Sequence, residues 1–259
     1  MSGTAFGLAA ISVFCLWQAS FGGVLWVGMS PSNIEILAYE TTALGLLCLR
    51  RRELLSRPGT VVTEITLNHE FLMSSYNTLS ERQLATHALA MNGREDLQVL
   101  VGGLGLGYTA GEVLTCPRVA SVEVVEFLPA VIDWLRQGLF PLAEQLKADA
   151  RLSLVAGDVY EKLLGSPEKR FDLIVIDVDH SPDENLGDAN ASFYTEAGLL
   201  RAKAHLAPNG VLAVWSYAES SPFARALRGV FSEVAIKEVT FNNDLIDQVN
   251  TDWLFFARD

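Results

Sequence analysis

From residue 94 onward the chain repeats one pattern. A short, nearly unbroken apolar run rich in β-branched residues is followed by a stretch of helix length, then by another run. The runs are Leu97–Val101, Ser121–Val125, Leu152–Val155, Leu173–Ile176 and Val211–Trp215, separated by Gly107–Leu114, Pro129–Gly138, Tyr160–Leu164 and Thr195–Leu206. Strands that are apolar on both sides need cover on both faces, so their alternation with helices predicts an α/β fold with a mostly parallel, doubly wound sheet. Two later runs, Val234–Val239 and Trp253–Ala257, follow the helical stretch Ser221–Val230 and are joined by a polar connection. They predict an antiparallel hairpin at one sheet edge.

Upstream of this pattern the spacing is different. Ile34–Tyr39, Leu44–Leu49, Val61–Leu67 and Glu70–Met73 read as short strands separated by Thr-Thr, Arg-rich and Pro58-Gly59 turn signals. Leu79–Met91 then reads as a helix, with Thr78 or Ser80 as its cap and Asn92-Gly93 as its stop. The expected organisation is an apolar segment over residues 1–33, a small β-rich domain over 34–78, and a nucleoside-binding domain over 79–259. The first segment has no charged residue before Glu35, and residues 5–29 are apolar for long enough to cross a bilayer. Three readings of it stand: a membrane anchor, a buried or partner-facing arm, and an upstream extension of a chain that begins at Met29.

Charge narrows the function. With 19 basic and 31 acidic residues the net charge is −12, a surface that repels phosphate backbones and argues against nucleic acid as a partner. The three cysteines, Cys15, Cys48 and Cys116, form no paired motif and suit a reducing, cytoplasmic setting. No cluster has metal-ligand spacing, so no metal is expected.

The ends of four successive predicted strands carry the chemistry. The first runs into Val99-Leu100-Val101-Gly102-Gly103-Leu104-Gly105-Leu106-Gly107-Tyr108-Thr109, where Gly103, Gly105 and Gly107 let the backbone turn sharply beside a ligand. The second ends in Glu126, nineteen residues after Gly107, placed to accept hydrogen bonds from ribose hydroxyls. The third is followed by Asp158, within reach of an adenine amino group, and the fourth by Asp177-Val178-Asp179-His180. In an open parallel sheet, ligands bind beyond the carboxyl ends of the strands. Between Asp172 and Leu200 lie seven acids and no Lys or Arg, an acidic loop that would attract a cationic acceptor.

These segments resemble the spermidine synthase-like family of S-adenosylmethionine-dependent transferases, from about Ile36 to the C-terminus. The likeness rests on VLVGGLGLGYT, VEVVE, AGDVYEKLL, FDLIVIDVD, the Phe193-Tyr194 pair and NGVLAVWS. It implies a Rossmann-like methyltransferase fold preceded by a small β-hairpin domain. It also implies S-adenosylmethionine or its decarboxylated form as donor, with the Gly103–Gly107 loop facing the donor's tail, Glu126 its ribose and Asp158 its adenine. The acceptor is expected to be a small, cationic amine near Tyr194 and Asp183. Asp179, or else His180, is the expected general base. The family's Gly-Gly-Gly-Asp-Gly-Gly loop has its Asp where this chain has Leu106, and the Asp-Ser-x-Asp-Pro stretch is out of register at Asp179. Aminopropyl and methyl transfer therefore both stay open, beside a non-polyamine methyltransferase, a nicotinamide enzyme and a non-catalytic nucleoside-binding module. A homodimer is possible on the same likeness.

Overall fold

The computed structural model describes residues 33–178, 180–184, 188–243 and 248–259. The apolar stretch over residues 5–29 and the expected base Asp179 lie outside the described residues. Strands β1 (Ile34–Thr42), β2 (Gly45–Glu53), β3 (Val61–Leu67) and β4 (Glu70–Ser74) form an antiparallel meander in that order. Asn68 and His69, both at positive φ (52° and 70°), make the tight β3–β4 turn, the conformation that a two-residue hairpin requires. The Asn68 amide braces it by accepting from the Leu46 N–H and donating to the Leu44 carbonyl.

Helix α1 (Leu79–Met91) leads into the second sheet. There the expected alternation is realised as β5 (Leu97–Gly102), α2 (Tyr108–Leu114), β6 (Val119–Glu126), α3 (Pro129–Arg136), α4 (Ala143–Ala148), β7 (Leu152–Ala156), α5 (Val159–Leu164) and β8 (Phe171–Ile176). The chain continues through α6 (Asp188–Phe193), α7 (Glu196–Ala204), β9 (Leu206–Ser216), α8 (Ser221–Val230), β10 (Glu233–Asn243) and β11 (Gln248–Arg258). The strand order is β10-β11-β9-β8-β5-β6-β7. The five strands from β5 to β9 pair in parallel, and β11 pairs antiparallel with both β9 and β10. The edge hairpin expected from the sequence is therefore present. The short helices α4 and α6 were not legible, being only six residues each.

The central strands show why the fold is two-faced. In β8 all six residues are buried, and successive side chains point to opposite sides. Leu173 and Val175 join the core that holds Leu84 and Ala88 of α1, Val113 of α2 and Trp134 of α3. Ile174 and Ile176 join the other core, with Leu163 of α5, Leu199 of α7 and Phe223 of α8. Each such side chain gains about 1.5–3 kcal/mol over leaving it in water, and the one charge in the strand, Asp172, is paired with Arg94 at 2.9 Å. Strand order reverses beside β5, whose neighbours β6 and β8 lead in opposite directions, and that switch point opens a crevice at the carboxyl ends. No helix among the described residues is long and apolar enough to cross a membrane.

Candidate active site

The carboxyl end of β5 continues straight into the glycine loop. Gly103 donates its N–H to the Val125 carbonyl and Asp177 donates its own to Gly102, so the loop leaves the sheet still stitched to both neighbours. Gly103 has φ +94°, and a Cβ there would stand 2.1 Å from the Asp177 carbonyl oxygen. Gly105 has φ +52°, and a Cβ would meet the Met73 sulfur of β4 at 2.9 Å. Only glycine serves at either place. Gly107, the residue before α2, shares the left-handed conformation.

A cavity of about 260 Å³ opens beside this loop. Its walls come from both sheets: Met73 and Tyr76 at the end of the small sheet, Gly105 and Leu106 of the loop, and Trp215 of β9. Three acids face it, Glu81 from the first turn of α1, Asp177 from the end of β8 and Asp252 from β11. No Lys, Arg or His lines it, and none of the three acids forms an ion pair among the described residues.

Hydrogen bonds fix the trio. Thr109 of α2 donates its hydroxyl to Asp177. Ser80 donates to Asp252 at 2.6 Å, accepts from the Trp215 indole at 3.0 Å, and lies 3.2 Å from Glu81. Ser80 and Thr78 were expected to cap α1, but neither side chain does so. The Ser80 hydroxyl is drawn to the buried Asp252 instead, and Thr78 receives the Arg82 guanidinium. Burial, then the charge of Asp177, pushes Glu81 up to about 8. Burial and the charge of Asp252 raise Asp177 to about 6 against the Thr109 hydrogen bond. Asp252 is raised by burial, opposed by Ser80 and Trp215.

Glu126 stands at the end of β6, as expected, and is 7% exposed. Its two oxygens accept from the backbone N–H groups of Leu104 (2.7 Å) and Leu128 (2.8 Å), which ties the glycine loop to the β6 end. Burial raises its proton affinity and these amides oppose that. Asp158 caps α5 by accepting from the Tyr160 N–H. Neither of these acids lines the cavity.

Other expected site residues are placed elsewhere. His180 is 1% exposed, and its Nε2 is surrounded by Asn190 (2.6 Å), the Tyr160 hydroxyl (3.2 Å) and the Tyr194 hydroxyl (3.3 Å). Burial lowers its pKa, so it sits there as a neutral ring. Tyr194 is packed against Phe193 and Phe223 and bonded to Tyr160. Both are interior groups on the far side of β8 and do not reach the cavity. The Asp183 carboxylate accepts from Ser220, and Glu184 accepts from the Tyr217 hydroxyl, so two loop acids tether the loop to the β9–α8 connection. Among the described residues no group of three or more His, Cys, Asp or Glu side chains is placed to hold a metal ion.

A known family model matches most of the chain that carries this loop and cavity. The profile of the spermine/spermidine synthase domain covers residues 79–249. The chain belongs to the spermine/spermidine synthase family. It is 36% identical over 129 residues to polyamine aminopropyltransferase 2 of Streptomyces coelicolor, a match covering 48% of this chain and 22% of that protein. It is 32% identical over 115 residues to putrescine N-methyltransferase 2 of Nicotiana tabacum, covering 44% of this chain and 31% of the relative. The matched stretch thus spans about a fifth to a third of these relatives. In fold, the chain resembles the spermidine synthase of Thermotoga maritima, with a TM-score of 0.67 at 18% identity over 86% of this chain and 72% of the other. In this member of the spermine/spermidine synthase family, Glu81 and Asp252 are cavity acids that sequence reasoning did not single out. For Glu81 the local signal was an acid in the first turn of a predicted helix.

Proposed function

We propose that this protein transfers an alkyl group from an S-adenosylmethionine-type sulfonium donor to the nitrogen of a small cationic amine, putrescine being the first candidate. The single observation that carries this reading is the cavity beside the glycine loop, lined among the described residues by three acids and no cation. A carboxylate trio without a counter-ion is costly until a positive ligand arrives. Family membership and the named relatives support the same chemistry.

The residues fit a nucleoside donor. The glycines let the loop backbone pack directly against the end of β8 and against Met73, and the Glu126 carboxylate, two oxygens and about four lone-pair sites, has acceptor capacity beyond its two backbone bonds. In this reading Glu126 holds the ribose, Asp158 the adenine amino group, and the loop Gly103–Gly107 the tail. The donor supplies an electrophilic carbon on positive sulfur. The chain supplies alignment: Asp177 anchors the ammonium at the mouth of the loop, and Tyr76, Trp215 and Met73 enclose its alkyl part and exclude water.

Methyl transfer is favoured over aminopropyl transfer by one observation. Leu106, 3% exposed, is an apolar wall of the cavity at a loop position where a carboxylate would repel the tail carboxylate that S-adenosylmethionine has and its decarboxylated form lacks. Titration calorimetry with S-adenosylmethionine, its decarboxylated form and methylthioadenosine, followed by mass analysis of putrescine incubated with each donor, tests both levels. A methylated or aminopropylated diamine supports the reading. Absence of donor binding, or of any alkylated amine, contradicts it.

A further inference from the structure

We propose that Glu81, on the first turn of α1, is the group that takes the proton from the acceptor amine, with Ser80 and Asp252 holding it in position. The inference rests on the alkyl-transfer reading above and assigns its proton to a residue outside the acidic loop.

Counting protons at Ser80 gives the first argument. A hydroxyl has one hydrogen to donate and two lone pairs to accept with. The hydrogen goes to Asp252 at 2.6 Å and one lone pair takes the Trp215 indole N–H. The remaining contact, 3.2 Å to Glu81, therefore needs a second proton in the group, on Glu81 or on Asp252. Burial and the charge of Asp177 favour Glu81 as its holder in the empty site.

The groups facing Glu81 explain why. Asp177 from β8 and Asp252 from β11 repel its charged form, and the Tyr108 ring of α2 lies nearby. Arg82, the adjacent residue, turns away to pair with Glu112 at 2.9 Å and to cover the Tyr108 ring. Among the described residues no other charged side chain lines the cavity. A further acceptor awaits a donor there: Asn250 Oδ1 is buried without a hydrogen-bond partner among the described residues.

These acids divide the work. Asp177 keeps the Thr109 hydroxyl proton as a fixed bond and remains the anionic anchor. When an alkylammonium enters, its charge offsets that of Asp177 and Asp252, and Glu81 releases its stored proton to solvent. The ammonium then passes one N–H proton to the Glu81 carboxylate. The freed nitrogen lone pair forms the new N–C bond as the C–S bond of the sulfonium donor breaks, and that pair returns to sulfur as a neutral thioether. Loss of the ammonium charge restores the repulsion among the acids, which is what draws the proton onto Glu81. A base whose proton affinity lies near the working pH is the efficient one.

The test is a pH–rate profile of the full chain with putrescine and the accepted donor. The wild type should show an acid limb in kcat. Glu81→Gln should lose that limb and about a hundredfold or more in kcat, the scale of a positioned base, while donor affinity holds. Glu81→Asp should keep a limb at reduced rate. On the empty wild type, infrared difference spectra at neutral pH should show a carboxylic-acid band absent from Glu81→Gln and quenched by putrescine. Turnover and limb that survive in Glu81→Gln overturn the inference and leave alkyl transfer standing, as does a limb lost only in Asp179→Asn. A missing band in the wild type overturns it by itself. A wild type that alkylates no amine overturns the functional reading, and this inference with it.

Discussion

Buried acids are treated in opposite ways in the two sheets. In the small sheet Glu64 is 1% exposed, and both of its oxygens are clasped, by Arg50 at 2.9 Å and Arg52 at 2.8 Å from the neighbouring strand. In the cavity, Glu81, Asp177 and Asp252 share a serine, a threonine and an indole, and no cation among the described residues. Glu126 stands between these cases, held by two backbone amides. Where a carboxylate is structural the fold supplies its counter-charge. Where it is missing, the charge has to come from a ligand.

The largest effect should come from removing the structural cations. Arg50→Ala with Arg52→Ala strands Glu64 without a partner and should cost about 3–5 kcal/mol of stability, read as a shift of the urea midpoint. An unchanged midpoint would break the contrast. Next comes Glu126→Gln. Its amide puts a donor against a backbone N–H that now points at a carboxylate, and hydrogen bonds to a charged group are worth about 1.5–3 kcal/mol each. Donor affinity should drop more than tenfold in calorimetry, with some loss of thermal stability. Asp177→Asn should leave the fold intact and weaken putrescine by about tenfold, about 1.4 kcal/mol, since it removes one charge from the trio.

The smallest effects concern the empty protein. Glu81 is raised from 4.5 to about 8, so between those pH values the folded chain holds more protons than the unfolded one. Stability should therefore be greatest below the unfolded value and fall as pH rises toward about 8. Asp252→Asn should flatten that decline and raise the melting midpoint at pH 8 by a few degrees, roughly the shift for 1 kcal/mol or less. A melting midpoint that rises with pH in the wild type would show that the trio is neutralised by some means not seen among its neighbours.

How much of this was legible depended on distance along the chain. The strands, the edge hairpin, the glycine loop and Asp177 are written locally, in apolar runs and in what ends them. Asp252 and Ser80 meet across 172 residues, and nothing in β11 alone distinguishes Asp252 from any other acid within a strand. Trp215 reads as core because it continues an apolar strand, yet its indole reaches Ser80 at the cavity wall. His180 and Tyr194 show the opposite case, polar residues that do not line the cavity. They sit in family-like segments, but His180 beyond β8 and Tyr194 after α6 both pack in the aromatic core with Tyr160 and Phe193. Sequence shows which residues are polar and not which of them find a partner in the interior.

The central claim is that the cavity acids wait for a cation, and proton linkage tests it most directly. Putrescine titrated into the full chain at neutral pH, in two buffers of different ionisation enthalpy, should bind with release of protons. The release should vanish in Glu81→Gln, and the affinity should rise with pH toward about 8. Binding without proton release, or no binding of the diamine at any pH between 6 and 8 where Asp177 and Glu81 titrate, would contradict it.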